Sequence, residues 1–296
     1  MVDLDSLRCF VAAAERLNFR AAARQVALSP AAFSERIKRL EGELGALLFA
    51  RTTRSVALTP AGVRLLPQAR RCLDEAQRCA AVVTEHGPRP PFVLRIGTRY
   101  ELGMSWIVPS LSALEEREPQ RRLHLSFGDS PELLRKLDEG EIDAVVSSVR
   151  LTQGGLDYVV LHAEEYAFVG LPALFRDRPL EEPPDAVDHH LLDIAGDLPL
   201  FRYLMDALDS SEPWPFGRME ILGTIAAVRF RALEGAGVAV LPLYFVRDDL
   251  AAGRLVRLLP ELSLRTDSFR LIWRARSPKD PDLRVLAEQL KGLPLQ

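Results

Sequence analysis

The sequence has few cysteines, few aromatic residues and no long apolar run. Its 296 residues include three cysteines and 7% Phe, Trp and Tyr. Because Cys9, Cys72 and Cys79 are an odd number in no metal-like spacing, we expect free thiols in a reducing compartment, and no metal or cofactor. The longest apolar stretch, Val238 to Val246, is far shorter than the roughly 18 residues needed to cross a bilayer. With an acidic amino terminus, these features predict a cytoplasmic protein without a membrane anchor or export signal.

The charge of the chain is small but unevenly placed. Residues 1–88 contain 13 Lys and Arg against 9 Asp and Glu, a balance of +4, and the whole chain carries −3, so residues 89–296 carry −7. The length fits about two domains. A modestly basic first module on an acidic body suits a polyanionic partner for that module alone.

The N-terminal residues predict three helices. Apolar residues recur at helical spacing over residues 4–17, and a short second helix is predicted over residues 20–26. Ser29 is a good N-cap and Pro30 fits a first helical turn, so a third helix is predicted from Pro30 to about Leu44. One face of this helix is apolar. Its opposite face and flanks carry the following residues: Ala31, Ser34, Glu35, Lys38 and Arg39.

A short ribbon and a long helix are predicted next. Residues 48–58 alternate around a polar, basic centre, which is typical of a two-stranded wing. The helix that begins at Pro60 has a heptad seam, which predicts pairing with a second helix. The seam consists of Leu66, Ala69, Leu73, Ala76, Ala80 and Val83. A proline-rich hinge follows at residues 87–91 and marks the main domain boundary.

The second half predicts an α/β fold. Strands at residues 92–96, 123–127 and 142–147 alternate with helices at 103–118 and 131–139, a βαβαβ order with a parallel sheet. Later segments are predicted as strands at 166–170, 191–194, 238–241 and 269–273, and as helices near 200–208, 225–234 and 282–290.

The sequence carries no motif of an enzyme. It has no P-loop, no GxSxG turn and no HExxH helix. The glycine-rich segment 235–240 ends in Val where a dinucleotide fingerprint needs Gly or Ala. The adjacent pair His189 and His190 is poorly spaced for one metal ion, and the other histidines stand alone. We therefore predict a binding protein without catalytic activity.

A specific pattern of residues identifies a family. The N-terminal pattern comprises Phe19, Ala22-Ala23, Ser29, Ala32, Ser34, Ile37, Leu40-Glu41, Leu44-Gly45, Leu48-Phe49, Arg51, Arg54, Leu58-Thr59 and Ala61-Gly62. It resembles the winged helix-turn-helix of the LysR-type transcriptional regulators. The C-terminal part resembles the effector domain of that family at Ile96-Gly97, Pro109, Pro119, Gly140-Glu141-Ile142-Asp143, residues 234–239 and Leu241-Pro242.

The resemblance implies an architecture and a set of partners. It implies a winged helix-turn-helix at 1–60, a linker and dimerisation helix at 61–87, a hinge at 88–91 and a two-lobed, periplasmic-binding-protein-like (type 2) effector domain at 92–296. Lobe I would comprise 92–161 and 267–296, and lobe II 162–266. The implied partners are double-stranded DNA with an interrupted inverted repeat, a small-molecule effector, other copies in a homodimer or dimer of dimers, and RNA polymerase if the protein activates transcription.

The resemblance also implies which residues contact DNA. Pro30, Ala31, Ser34 and Glu35 occupy positions that reach base edges, and Arg51 and Arg54 occupy the wing. Ser29, Lys38 and Arg39 complete the predicted DNA surface. Two of these residues depart from the family pattern, which commonly has Gln at Pro30 and a basic or amide residue at Glu35. The alternative hypothesis is therefore a cytosolic small-molecule-binding or scaffolding protein with degenerate DNA binding.

The effector site is predicted at the carboxyl ends of strands, where helix N-termini suit anions. The residues at these ends are Thr98, Arg99, Tyr100, Gly128, Ser130, Ser147 and Ser148. From lobe II, Thr224 precedes a helix, and the resemblance adds Ala195 and Gly196. Because Arg99 would offer a guanidinium in the cleft, the sequence predicts an effector with a carboxylate or phosphate.

Overall fold

The computed structural model describes residues 2–51, 56–83, 91–149, 151, 154–208 and 213–295. The chain divides into two units, Met1–Phe92 with Arg135–Ile142 and Val93–Leu134 with Asp143–Gln296. Within the described residues, no helix is long and apolar enough to cross a membrane. The centre of the predicted wing (52–55) and most of the predicted hinge (84–90) lie outside these residues.

The first unit begins with helices and a two-stranded ribbon. In chain order the elements are α1 (Leu4–Arg16), α2 (Phe19–Gln25), α3 (Pro30–Leu44), β1 (Phe49–Arg51), β2 (Val56–Leu58) and α4 (Pro60–Val83). The side chains of Asp3, Asn18 and Ser29 each accept a backbone N–H at the start of the first three helices. Helix α2 starts one residue before the predicted position, because Asn18 supplies the cap.

The core of these helices confirms the predicted inner face of α3. Phe33, Ile37 and Leu40 are 0%, 0% and 1% exposed. Ala22 and Ala23 of α2 are fully buried, and their small size lets the neighbouring helices approach closely. The ring of Phe19 packs edge-on against Phe33 and Phe49.

Helix α4 differs from the prediction in how it uses its seam. Ala69 is 1% exposed and belongs to the core that also contains Phe10 of α1. Leu66 and Leu73 pack against the same core. The first half of the seam is therefore occupied by the helix's own domain, while the side chains of Ala80 and Val83 lie outside the described part of the chain.

The second unit contains a five-stranded sheet, which we call lobe I with its helices. Its strands are β3 (Phe92–Thr98), β4 (Arg121–Phe127), β5 (Ala144–Ser147), β6 (Leu156–Glu164) and β12 (Asp267–Arg274), in the order β4-β3-β5-β12-β6. Its helical segments are α5 (Tyr100–Leu102), a π-helical turn (Gly103–Ile107), α6 (Val108–Arg117) and α11 (Asp280–Lys291), and α7 (Ser130–Glu139) connects β4 to β5. Strands β3 and β5 are parallel, and β12 returns antiparallel between β5 and β6.

A second group of strands forms lobe II. Its elements are β7 (Tyr166–Gly170), short 3-10 helices (Pro172–Phe175 and Pro183–Asp188), β8 (His190–Asp193), α8 (Arg202–Leu208), β9 (Arg218–Ile221), α9 (Ile225–Leu233), β10 (Ala239–Pro242), α10 (Leu243–Ala251) and β11 (Val256–Arg257). Strand β7 lies between β10 and β11, β8 pairs with β9, and a bridge between Leu191 and Val238 joins the two groups. The predicted two-lobed α/β fold is confirmed.

The elements of this unit that were not predicted include strands β6, β9 and β11 and helix α10. Strand β6 has exposed apolar residues, Tyr158 and Val160, so apolar side chains occur on both faces and the alternation is hidden. Helix α10 continues the apolar run that begins at Val238, and Pro242 separates strand from helix within it.

Candidate DNA-binding surface and effector cleft

Helix α3 presents the predicted recognition face to solvent. Pro30, Ala31, Glu35 and Lys38 are exposed, and Ser34 is half-buried. The Ser29 hydroxyl accepts the N–H of Ala32 at 3.2 Å, so its oxygen holds the start of the helix. The face is accessible because the large apolar residues Phe33, Ile37 and Leu40 lie on the opposite side of the helix.

Arg39 has a different environment from the one expected. Its guanidinium donates to the Asp3 carboxylate at 2.6 Å, and Arg36 forms an ion pair with Asp5 at 3.2 Å. Hydrogen bonds from Ser6 lower the pKa of Asp3, with further help from both arginines. Arg39 therefore ties α3 to the start of α1, which reduces its freedom to contact DNA.

A buried carboxylate connects α3 to the wing. Glu41 is 7% exposed, and its Oε1 accepts the N–H groups of Leu48 and Phe49 at 2.9 and 3.2 Å. The Thr59 hydroxyl donates to the carbonyl of Leu47 at 2.6 Å and accepts the N–H of Gly62 at 3.1 Å. These contacts fix the base of the ribbon relative to α3.

The structure describes only part of the two arginines predicted in the wing. Arg51 is the last residue of β1, where it pairs with Val56, and only its backbone is described. Arg54 lies outside the described residues. Their role in binding DNA stays a prediction.

A cleft lies between the two lobes of the second unit. It encloses about 340 Å³ and is lined by Ser130, Ser148 and Val149 from one side and by Pro199, Arg202, Tyr203, Asp206, Arg265 and Asp267. Its size is at the lower end of the usual range for small-molecule sites. Ser130 and Ser148 are the only two of the ten predicted effector residues that line it.

Two predicted effector residues are fully buried, and their role in binding an effector stays a prediction. Thr98 and Ser147 are 0% exposed. The Ser147 hydroxyl lies 3.1 Å from that of Ser130 and accepts the N–H of Val149 at 3.2 Å. Ser147 thus positions the cleft residues instead of lining the cleft itself.

The other predicted positions lie outside the lining of this cleft. They are Arg99, Tyr100, Gly128, Ala195, Gly196 and Thr224. The Thr224 hydroxyl caps α9 by accepting the N–H of Ala227 at 3.2 Å. The second N–H of that helix, from Ala226, donates to Glu101 at 3.3 Å. A carboxylate of the protein thus already occupies the N-terminus of α9.

Arg99 is engaged by a buried carboxylate. Its guanidinium donates to Glu164 at 2.5 Å, and the Glu164 side chain is 0% exposed. Burial disfavours the charged form of Arg99, but the attraction and hydrogen bond of Glu164 together with the effects of Tyr244 and Tyr166 outweigh it, so the pKa of Arg99 is raised. Because Glu164 already compensates the charge of Arg99, Arg99 does not support the prediction of an anionic effector.

Tyrosines and acidic groups form the inner wall of the cleft. Tyr203 stacks on Tyr166 with ring centroids 3.8 Å apart, and its hydroxyl donates to Asp267 at 3.3 Å. Burial raises the pKa of the Tyr203 hydroxyl, so it stays protonated and available as a donor. Arg265 donates to Asp206 at 2.8 Å. The wall therefore combines an aromatic surface with charges of both signs.

The loop before α8 is held by one carboxylate. Asp193 is 0% exposed and accepts the N–H groups of Ile194, Leu200 and Phe201 at 2.6, 3.4 and 2.9 Å. Burial raises the pKa of Asp193, while these hydrogen bonds oppose the rise. Asp193 thereby positions Pro199 and the start of α8 at the cleft.

Residues of α8 line the cleft but were not among the predicted site residues. Arg202 and Asp206 are spaced i, i+4 in a segment predicted as a helix, and that segment follows the strand ending at Asp193. A pair of charged residues at this spacing, on a helix that follows a strand end, could have indicated these two residues from the sequence. Arg265 and Asp267 had no such local signal, because the return of β12 to lobe I brings them to the cleft. Among the described residues, no group of three or more His, Cys, Asp or Glu is placed to hold a metal.

The two surfaces define a class of protein, a winged-helix DNA-binding module joined to a two-lobed small-molecule-binding domain. A family model for the bacterial regulatory helix-turn-helix protein, lysR family, matches residues 4–63, and one for the LysR substrate binding domain matches residues 92–293. The chain belongs to the LysR family. It is a transcriptional regulator with a DNA-binding and an effector-binding domain.

Relatives match nearly the whole chain. It is 32% identical to the HTH-type transcriptional regulator PtxR of Pseudomonas aeruginosa, over 98% of this chain and 92% of that protein. It is 29% identical to the regulator TrpI of the same species, over 97% and 96%. A full-length variant of OxyR from Pseudomonas aeruginosa shares the fold with a TM-score of 0.72 at 22% identity, over 100% and 96% of the two chains.

Proposed function

We propose that α3 enters the major groove of an operator, with Pro30, Ala31, Ser34 and Glu35 at base edges. The supporting observation is the exposed face of α3, opposite a fully buried one. Lys38 and the wing residues Arg51 and Arg54 contact phosphates, while Ser29 holds the helix start. Arg39 serves mainly to orient α3 through Asp3.

The proposal includes the domain division inferred from the sequence. Residues 1–60 form the DNA-binding domain, 61–87 the linker helix, 88–91 the hinge and 92–296 the effector domain, with lobe I at 92–161 and 267–296 and lobe II at 162–266. Two such chains form a homodimer that reads an interrupted inverted repeat, alone or as a dimer of dimers. The protein acts in the cytoplasm, where bacterial DNA lies. It regulates transcription without catalysing a reaction, and it contacts RNA polymerase if it activates transcription.

The wing provides the test of this DNA contact. Replacing Arg51 or Arg54 by Ala removes a phosphate contact, so we expect weaker binding to operator and random duplexes alike. The slope of log K against log salt should fall by about one for each arginine. Fluorescence anisotropy at several salt concentrations measures both quantities. A loss confined to one operator sequence would identify a base contact instead.

The alternative, a scaffold with degenerate DNA binding, predicts a different result. In that case the full-length protein would bind the region upstream of its own gene no better than random DNA. A gel-shift assay with competitor DNA distinguishes the two proposals, since a specific complex survives an excess of random duplex.

The effector is proposed to be a small anion that also carries a hydrogen-bond donor. The hydroxyls of Ser130 and Ser148 and the exposed guanidinium of Arg202 line the cleft and suit a carboxylate or phosphate. Asp206 and Asp267 on the same wall suit a donor group. The proposal thus keeps an anionic group but assigns its recognition to Arg202 instead of Arg99. Arg202 is exposed although it lies 3.7 Å from the Asp197 carboxylate, whereas Arg99 is held by the buried Glu164.

A thermal-shift screen of small organic acids tests this site. A ligand at 100 times its Kd adds about 2.7 kcal/mol of apparent stability, which is readily seen as a rise in Tm. We expect Arg202→Ala and Ser148→Ala to abolish the shift of any hit. Asp248→Asn, a change in the same lobe away from the cleft, is the control. A hit that keeps its full shift in both cleft variants binds elsewhere.

A further inference from the structure

Lobe II contains a second recess that the effector cleft does not explain. This groove, which we call the lobe II groove, encloses about 770 Å³ between the segment from Phe175 to Pro183 and the segment from Val256 to Leu262. Of the described residues that line it, none also lines the effector cleft. Its volume falls within the range of small-molecule sites, roughly 300–1,000 Å³.

The floor of the lobe II groove is apolar and aromatic. Leu180 and Trp214, which are 3% and 9% exposed, are the most buried residues of its lining, while Phe175, Leu258 and Leu262 are half-buried. Leu258 is held by its N–H, which donates to the carbonyl of Phe168 at 2.8 Å. The groove is therefore a surface on an ordered core, suited to an apolar body such as an alkyl chain or a ring.

The rim of the lobe II groove is acidic. Glu181, Glu182 and Glu261 are exposed along it, against one cation among the described lining residues, Arg257. Arg257 directs a guanidinium N–H to the carbonyl of Leu262 at 3.4 Å, on the groove's own wall. The N–H groups of Glu181 and Glu182 both donate to the Asp185 carboxylate at 3.0 Å, which fixes the two neighbouring glutamates at the mouth. Three carboxylates above an apolar floor favour a positive charge at the opening.

We propose that the lobe II groove is a second binding site, and that it takes a small amphipathic organic cation. The apolar part of the ligand lies against Leu180, Leu258 and Trp214, and its ammonium group lies among the glutamates. Helix α8 borders both sites, with Leu208 at the groove and Arg202 at the effector cleft.

The experiment uses three probes with the same six-carbon chain. The full-length protein is titrated with hexyltrimethylammonium, hexyl sulfate and hexanol below their micelle-forming concentrations, and calorimetry and tryptophan fluorescence follow the binding. The chain has three tryptophans, and Trp214 is the one in lobe II. We expect saturable binding of the cation, weaker or no binding of the other probes, and a fluorescence change that Trp214→Phe removes.

Charge variants locate the site. The double variant Glu181→Gln with Glu261→Gln should weaken binding of hexyltrimethylammonium by roughly tenfold, as expected for two exposed charge contacts. Asp248→Asn, in the same lobe but not in the groove, should leave the affinity unchanged, and so should Arg265→Ala in the effector cleft. All of these side chains are exposed, so the variants are expected to fold.

Several results would overturn the proposal. Binding of hexyl sulfate or hexanol as tightly as the cation would show that the acidic rim does not select the ligand. Equal losses in Asp248→Asn and the glutamate variant would indicate a general charge effect, and a loss in Arg265→Ala would place the ligand in the cleft. Absence of saturable binding would mean that the groove holds no such ligand. These outcomes do not depend on DNA binding.

Discussion

The exposed face of α3 carries opposite charges one helical turn apart. Glu35 and Lys38 are three residues apart and both are exposed. Residues at this spacing are neighbours on a helix surface. Next to a duplex, the carboxylate is repelled by phosphates but can accept from cytosine N4, whereas the ammonium is attracted to phosphates. The two residues therefore have opposite effects on nonspecific binding.

Replacing Glu35 by Gln should tighten binding to random DNA. Loss of one repelled charge at the interface is expected to raise the affinity roughly threefold to tenfold at low salt. Lys38→Gln is the matched opposite change and should weaken binding with a smaller salt slope. Anisotropy titrations of both variants against operator and random duplexes provide the measurement. If neither variant changes the affinity for random DNA, α3 does not lie at the duplex.

The loop from Ile194 to Phe201 depends on one buried carboxylate, Asp193. Three backbone N–H groups converge on it within a loop that otherwise lacks regular structure. Because burial raises the pKa of Asp193, the folded state binds its proton more tightly than the unfolded chain does. Its contribution to stability is therefore fully present below the ordinary Asp pKa, and it is lost as the pH rises from there through the raised pKa of the folded state.

Asp193→Ala and Asp193→Asn should separate these two effects. The alanine variant leaves buried N–H groups without an acceptor, which is expected to lower the free energy of unfolding by about 1–3 kcal/mol. The asparagine variant keeps an acceptor and removes the charge, so it should be closer to wild type at neutral pH. Urea unfolding at several pH values measures both. Equal losses in the two variants would show that the charge itself holds the loop.

Dimerisation through α4 depends on how much of the apolar surface of this helix packs against its own domain and how much is left for a second copy of the chain. Ala69 is 1% exposed within the first unit, while Ala76 is half-buried. Ala69 therefore stabilises its own domain, whereas the half-buried Ala76 and Val63, which is 50% exposed in the first turn, leave apolar surface for a second copy.

Enlarging the two alanines should have different consequences. Ala69→Leu places extra volume in a packed core, and we expect it to lower the free energy of unfolding by about 1–3 kcal/mol. Ala76→Leu should leave the stability of the domain nearly unchanged and strengthen or preserve the dimer. Thermal unfolding and sedimentation measure the two properties. Loss of the dimer in Ala69→Leu without a change in Tm would place this residue between chains.

Local signals were sufficient for the helices of the first unit. Ser29 with Pro30 marks the start of α3, and Phe33 and Ile37 mark its buried face, because caps and helical periodicity operate within a few residues of the chain. The family pattern extended this to the two-lobed domain. The edge strand β6 and the packing of Ala69 were missed, since both depend on which neighbour covers a given face.

The effector cleft could be predicted only in part. Strand ends indicated Ser130 and Ser148, which line the cleft, but the partner of Arg99 is Glu164, 65 residues further along the chain. Arg265 and Asp267 reach the cleft because β12 crosses back to lobe I beside β5. Short-range chemistry is encoded in neighbouring residues, whereas the pairing of a buried charge and the lining of a cleft depend on segments that meet only when the chain has folded.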